Sequence, residues 1–176
     1  MVKRTPMALG ASMVALAALA TTLASQPVFA QWRVAQDTPA GVENRIDVAI
    51  IDNDSGHQLQ LYNDGAQNVR GIFTIRDGFD TIDPAVCPTY RVDEREPKRV
   101  TFESERCHIL PRQAEFTLGK SGLAANRDLR RIMNGSNIVF RYRMQRGNYR
   151  ETTFTLRGSK YAVTTAMEDP NFGYDE

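Results

Sequence analysis

The sequence predicts an all-β protein: an antiparallel β-sandwich, jelly-roll-like, of about eight strands, with one short helix and one disulfide. Three observations indicate this fold. Apolar and polar residues alternate in several short stretches, turn-forming residues separate these stretches, and only one stretch has the spacing of a helix. We expect residues 31–167 to form one sandwich domain and Glu168–Glu176 to be a flexible acidic tail.

The clearest alternation lies between Asn137 and Gly158 and predicts a β-hairpin. The apolar residues of each arm share one face: Ile138, Phe140, Tyr142 and Met144 in the first arm, and Thr152, Phe154 and Leu156 in the second. A two-residue turn at Gly147 and Asn148 would place these two sets on opposite faces. A three-residue loop, Arg146–Asn148, unites them and puts Asn148 in the left-handed position. The resulting pairs are Ile138 with Leu156, Phe140 with Phe154, and Arg143 with Glu151.

Six further stretches are predicted as short strands: Gln31–Val34, Arg45–Ile51, Gln58–Tyr62, Val69–Arg76, Arg99–Glu103 and Glu115–Leu118. Their expected inward residues are Leu59, Leu61, Gly71, Phe73, Ile75, Phe116 and Leu118, with Val100 and Phe102 sharing a face. Residues Asp77–Pro97, rich in proline and acidic residues, are expected to be irregular. Asp52–Gly56 is predicted as a hairpin turn, because a calcium loop would need glutamate where Asn63 stands.

One segment, between Gly122 and Gly135, has helical spacing. Its apolar residues Leu129, Ile132 and Met133 fall at positions i, i+3 and i+4. Asn126 is expected to cap the start of this helix and Gly135 its end. The type of the terminal segment Ser159–Met167 stays open.

The first thirty residues predict a signal peptide. Lys3 and Arg4 precede an apolar run, and Val28–Ala30 matches a cleavage site, so we expect a mature start at Gln31 and no stable transmembrane span afterwards. The alternative is an uncleaved membrane anchor. The chain has 22 basic and 21 acidic residues, so cleavage would change its formal charge from +1 to about −1. That balance gives no indication of nucleic-acid binding.

The two cysteines, Cys87 and Cys107, are expected to form a disulfide, because an exported protein meets an oxidising compartment. Closing a loop of about twenty residues would stabilise the fold by about 3 kcal/mol on the chain-entropy model. A redox or nucleophilic role is disfavoured, because the pair lacks C-x-x-C spacing. His108 adjoins Cys107, but neighbours on an extended chain point to opposite faces.

Motifs for catalysis and for cofactor or metal binding are missing from the sequence. His57 and His108 stand apart, without the spacing of zinc ligands. Gly119–Ser121 resembles the end of a phosphate loop, but Ala114 stands where that loop needs glycine. We therefore expect no catalytic residue, no cofactor and no metal. An unrecognised hydrolase would depend on His57 or His108.

One basic and aromatic strip is a candidate for partner binding. Arg141 and Arg143 project from the polar face of the hairpin, with Arg157 and Tyr149 nearby. A protein or a glycan could bind such a strip. The alternative is an ordinary solvated face in which Arg143 pairs with Glu151.

Several features together resemble the invasion-associated locus B family of bacterial exported proteins, most clearly over Leu129–Ala162. They are a signal peptide ending in Phe29-Ala30, the opening Gln31–Val34, a short helix before Asn134-Gly135, the hairpin Ile138–Leu156, and the closing Phe154–Gly158 with Ala162 following. The resemblance implies a small secreted or periplasmic β-sandwich without an assigned catalytic site. Ala35 stands where the family pattern would place a cysteine, so the family's disulfide arrangement is not carried over. A role in host invasion is not carried over either, because a shared fold does not transfer a role.

The sequence therefore predicts a non-enzymatic, exported protein of the cell envelope, periplasmic or secreted, that binds a protein or an envelope component. The alternative is a carrier that holds a small apolar ligand in a barrel cavity.

Overall fold

The computed structural model describes residues 31–39, 42–66, 68–76, 78–102, 107–120 and 126–167. Within these ranges the strands, in chain order, are β1 (Arg33–Asp37), β2 (Ile46–Asp52), β3 (Gln58–Asn63), β4 (Asn68–Thr74), β5 (Thr89–Val92), β6 (Lys98–Arg99), β7 (His108–Leu110), β8 (Gln113–Lys120), β9 (Asn137–Arg143) and β10 (Tyr149–Thr155). The helices are α1 (Arg127–Asn134) and α2 (Ser159–Ala166). The predicted signal peptide, residues 1–30, and the predicted tail, Glu168–Glu176, lie outside the described residues.

The strands form two antiparallel sheets, which confirms the predicted class. The six-stranded sheet has the order β1-β2-β3-β4-β8-β7, and the four-stranded sheet has the order β10-β9-β5-β6. Strands β1 to β4 pair in chain order, so this part is a meander, whereas a jelly roll passes successive strands between its sheets. The described residues hold ten strands and two helices, where the sequence predicted about eight strands and one helix.

The two sheets pack face to face through a layer of aromatic rings. Phe73 of β4 stacks on Phe140 of β9 with ring centroids 4.7 Å apart, and Phe154 of β10 meets both rings edge-on. Phe116 of β8 packs closely over Gly71, where a Cβ atom would lie 2.3 Å from the ring. These rings fill space between the two sheets.

The core contains the inward residues that the alternation predicted: Leu59, Leu61, Phe73, Ile75, Phe116 and Leu118. The predicted strand Arg99–Glu103 was wrong in its extent, because β6 ends at Arg99. The chain then crosses between the sheets: the Val100 N–H donates to Pro88 O, and Thr101 O accepts from the Thr117 N–H. Val100 consequently lies in the core, whereas Phe102 lies beside the His108 ring, with centroids 5.6 Å apart.

Both faces of β2 are buried, although its alternation is typical of a strand with one polar face. Ala49 and Ile51 belong to the main core. Val48 and Ile50 point the other way and form a second cluster on the outer face of the six-stranded sheet, together with Tyr62, Ile72 and the partly buried Ala35, Val42 and Ile46.

The two helices cover part of the core. In α1 the predicted cap is confirmed, since the Asn126 side chain accepts a hydrogen bond of 2.9 Å from the Leu129 N–H. Gly135 ends α1 in extended rather than left-handed conformation, and a Cβ there would lie 2.5 Å from Val92 Cγ1. Helix α2 follows β10 and packs on β1, β2 and β3, with Ala162, Val163 and Ala166 buried.

The C-terminal hairpin has the predicted faces, but its register is shifted by two residues. Ile138 pairs with Phe154 and Phe140 pairs with Thr152, instead of the Leu156 and Phe154 that were predicted. The predicted three-residue loop length is right, because the Met144 N–H donates to Asn148 O across the intervening loop. Gly147, not Asn148, has the positive φ of +94°, because glycine adopts this conformation without steric cost. A shift of two residues preserves the side-chain faces, so alternation alone could not detect it.

The predicted disulfide between Cys87 and Cys107 is present, with Cα atoms 5.6 Å apart. Cys87 lies just before β5 of the four-stranded sheet, and Cys107 lies just before β7 of the six-stranded sheet. The bridge therefore links the two sheets covalently at one edge of the sandwich.

Candidate binding surface

The outer face of the four-stranded sheet carries four arginines. Directly paired residues of neighbouring strands point to the same side of a sheet, and the pairings connect Arg99, Thr89, Arg141 and Glu151 into one row across β6, β5, β9 and β10. A second row contains Arg91, Val139 and Thr153, and a third contains Arg143 and Tyr149. Tyr90 and Val92 of β5 and Ile138 and Phe140 of β9 occupy the alternate positions and are buried in the core. The arginines of these rows therefore face outward. We call Arg91, Arg99, Arg141 and Arg143 the arginine face.

Arg141 lies near the centre of this face and has two neighbours. Its Cζ atom lies 4.8 Å from the centroid of the Tyr149 ring, a cation–π contact worth about 0.5–1 kcal/mol at an exposed site. Its Nε atom lies 3.9 Å from Glu151 Oε1, and both side chains are more than half exposed, at 57% and 53%. An exposed ion pair of this length adds at most about 1 kcal/mol. The guanidinium is thus oriented by the ring and remains accessible to a partner.

The predicted strip is therefore only partly brought together. Arg141, Arg143 and Tyr149 are neighbours, but Glu151 pairs with Arg141 rather than with Arg143. Arg143 Nε instead lies 3.6 Å from Asp83 Oδ2. Arg157 lies beyond the opposite end of β10, a strand of seven residues that spans about 20 Å.

Arg91 and Arg99 belong to the arginine face, although they were not among the residues predicted for the basic strip. Arg91 lies in a segment that was expected to be irregular but contains β5. The alternation in Thr89–Val92 is the signal that could have found it, since Tyr90 and Val92 are buried. Arg91 Nη1 donates to Asp93 O at 3.2 Å, and Arg99 Nη2 lies 3.1 Å from Cys87 Sγ. These contacts orient both side chains.

A shallow groove of about 340 Å³ crosses this face. Its lining residues are Thr89, Tyr90, Arg91, Pro97, Val139, Arg141 and Glu151. The groove combines apolar surface with two cations and one carboxylate. Such a mixture suits a partner with both apolar and charged groups.

Two side chains form hydrogen bonds with backbone oxygens along the free edge of β10, the edge strand of the four-stranded sheet. Asn53 Nδ2 donates to Thr153 O at 3.0 Å, and Trp32 Nε1 donates to Thr155 O at 2.9 Å. An added strand would need these carbonyl oxygens. The contacts therefore favour docking on the face of this sheet over docking along its β10 edge.

Neither histidine lies on the arginine face. His57 is buried, its Nδ1 accepts from the Arg76 N–H at 3.2 Å, and its Nε2 lies 3.2 Å from the Tyr142 hydroxyl. His108 is half exposed, and its Nδ1 lies 2.7 Å from the buried Glu115 carboxylate. Among the described residues, no group of three or more His, Cys, Asp or Glu side chains is arranged to hold a metal ion.

Burial and neighbouring groups shift the pKa values of Tyr62, Tyr90 and Asp64. Burial, reinforced by the Glu115 carboxylate, raises the pKa of Tyr62 to about 12. Burial and the neighbouring Asp128 raise the pKa of Tyr90. Burial alone would raise the pKa of Asp64, but hydrogen bonds from Asn68, Arg70 and Ala66 outweigh it and lower that pKa below its usual value. All three groups keep their ordinary charge at neutral pH, which suits a structural role.

Comparison of the chain with protein-family models, curated proteins and solved structures finds no match. Across the described part of the chain, neither helix has the length and apolar character needed to cross a membrane.

Proposed function

We propose that this chain is a non-enzymatic, exported protein of the cell envelope, periplasmic or secreted, that binds a protein or another envelope component through the arginine face. The observation that carries the proposal is Arg141, which is oriented by Tyr149 and yet more than half exposed. Three neighbouring arginines extend the same surface. The signal-peptide pattern and the disulfide support export, and the resemblance to the invasion-associated locus B family agrees with this class.

A binding role also agrees with the shape of the molecule. The space between the sheets holds stacked aromatic rings, whereas the groove beside Arg141 is open to solvent. An oriented arginine next to an exposed tyrosine is a frequent arrangement at protein interfaces, where these two residue types supply much of the binding energy.

The test is a cross-linking pulldown from bacterial envelopes with the tagged, exported protein. The native protein is compared with the variant Arg141→Glu/Arg143→Glu. A matched control, Arg127→Glu/Arg157→Glu, makes the same change in charge at exposed positions outside the arginine face. We expect the native protein and the control to recover a defined partner and the first variant to lose it. Equal recovery by all three proteins, or by none, would contradict the proposal, provided that their thermal unfolding curves coincide.

A further inference from the structure

Charges on the outer face of the four-stranded sheet are ordered from one edge to the other. In the row Arg99, Thr89, Arg141 and Glu151, the basic groups lie on β6 and β9 and the acidic group lies on the edge strand β10. Adjacent strands are about 4.8 Å apart, so the row spans about 14 Å. Arg91 adds a second cation beside the groove, one row away from Arg141.

Arg91 and Arg141 line the groove, and Arg99 pairs with its lining residue Thr89. All three arginines retain donors for a ligand. A guanidinium has five N–H donors in a planar fork that matches a carboxylate. Arg91 uses one nitrogen for Asp93 O, and Arg99 uses one for Cys87 Sγ. Arg141 Cζ lies over the Tyr149 ring, and the nearest carboxylate oxygen among the described pairs is Glu151 Oε1, 3.9 Å from Arg141 Nε. Each side chain is thus held in place and keeps N–H donors for a partner.

We infer that the arginine face takes an acidic polypeptide segment, whose carboxylates bind Arg91, Arg99 and Arg141 across the groove. This inference rests on the proposed function and names the chemistry of its partner. The partner's apolar side chains contact Val139 and Pro97 in the groove. Groups of the partner that donate hydrogen bonds face the Glu151 carboxylate.

The acidic groups on this surface favour a polypeptide over a uniform polyanion. Glu151 lies in the groove and Asp83 lies beside Arg143, so a nucleic acid, a sulfated glycan or an anionic lipid surface would place negative charges against both carboxylates. A polypeptide carries acidic, basic and apolar side chains in one segment and can match this pattern. The whole chain is also close to electrically neutral, so long-range attraction of polyanions is weak.

The inference is tested by fluorescence polarisation with the disulfide-bonded, exported protein. The probe is a labelled ten-residue peptide in which glutamate alternates with serine and leucine, and the reference is the same peptide with lysine in place of glutamate. We expect the native protein to bind only the acidic peptide. Arg91→Ala and Arg141→Ala should each weaken binding about tenfold, the value of one charge-assisted contact, while Glu151→Gln should strengthen it a few-fold. Arg157→Ala is the matched control and should change nothing.

Three results would overturn the inference. In the first, the native protein does not bind the acidic peptide at millimolar concentration. In the second, the arginine variants bind the acidic peptide as tightly as the native protein does. In the third, the native protein binds heparin or phosphatidylglycerol vesicles more tightly than the peptide, and this binding also depends on Arg141. If the pulldown recovers an Arg141-dependent partner that the acidic peptide does not displace, the inference fails and the proposed function stands. If neither assay depends on Arg141, both fail.

Discussion

The outer faces of the two sheets each hold an arginine stacked on an aromatic ring. Arg70 of the six-stranded sheet lies with its Cζ 4.7 Å from the Phe102 ring centroid, and Arg141 of the four-stranded sheet lies 4.8 Å from that of Tyr149. The two distances from Cζ to the ring are nearly equal, but the surroundings of the two arginines differ. The Arg70 side chain is 13% exposed and lies 2.7 Å from the Asp64 carboxylate, whose side chain is 5% exposed. Arg141 is 57% exposed and 3.9 Å from its carboxylate.

The difference shows that stacking alone does not define a binding residue. Around Arg70, the Asp64 carboxylate and the Phe102 ring hold the guanidinium, and the apolar cluster of Val48, Ile50, Tyr62 and Ile72 lies on the same side of the sheet. Removing one partner of such a shielded ion pair destabilises the fold, because the other charge stays shielded from water without its partner. Around Arg141 the contacts orient the side chain and leave it in water, which is the state that a partner can use.

The sharpest test of this comparison is the loss of each arginine. Arg70→Ala should lower the free energy of unfolding by about 3 kcal/mol, because it leaves the buried Asp64 carboxylate without its cation. Arg141→Ala should lower it by less than about 1 kcal/mol, since its ion pair is exposed. Urea unfolding at pH 7 measures both values. Equal losses in the free energy of unfolding would show that both arginines stabilise the fold to the same extent and that Arg141 has a structural role.

A second test measures how the free energy of unfolding depends on pH. The folded pKa of Asp64 lies below its usual value of 3.8, so its ionised form stabilises the fold fully above that value, and this contribution is lost as the pH falls through the folded pKa. Asp64→Asn should cost about 2 kcal/mol at pH 7 through weakened charge-assisted hydrogen bonds. It should also flatten the fall in stability between pH 5 and about pH 2. Urea unfolding across this range measures the slope of stability against pH, and an unchanged slope in Asp64→Asn would refute the prediction.

The two aromatic rings provide a third contrast. Phe102→Ala should lower the free energy of unfolding by about 1 kcal/mol, because it removes the cation–π contact with Arg70 together with some buried apolar area. Tyr149→Ala should lower it by about 0.5 kcal/mol, the low end for an exposed cation–π contact, but reduce recovery of the partner in the pulldown. Differential scanning calorimetry and the pulldown separate these outcomes. Full partner recovery by Tyr149→Ala would exclude an orienting role for the ring.

The smallest expected effect is that of Glu151→Gln on stability. The carboxylate is 53% exposed and 3.9 Å from Arg141, so its removal should change the free energy of unfolding by less than about 0.5 kcal/mol. Urea unfolding at low and high salt gives this value. A loss above about 1 kcal/mol would mean that the pair fixes the hairpin and is not an adjustable part of a binding surface.

Local patterns predicted those parts of the fold that depend on local chemistry. Asn126 caps α1 because its side chain reaches the N–H three residues later, and helical spacing marks the buried face of that helix. The disulfide was predicted from two cysteines and the sequence pattern of a signal peptide. The hairpin register and the extent of β6 were not predictable in this way. A shift of two residues leaves every side chain on the same face, and β6 ends where the chain crosses between sheets.

The sequence by itself determined the alternation of β9, and with it the outward position of Arg141 and Arg143. Only the tertiary structure decided that Arg91 and Arg99 join them, because strands distant in sequence pair through backbone hydrogen bonds that carry no signature of their partner. It also decided which arginine is buried. A period of two tells which residues share a side of a strand, but whether that side meets solvent depends on the packing of the rest of the chain against it.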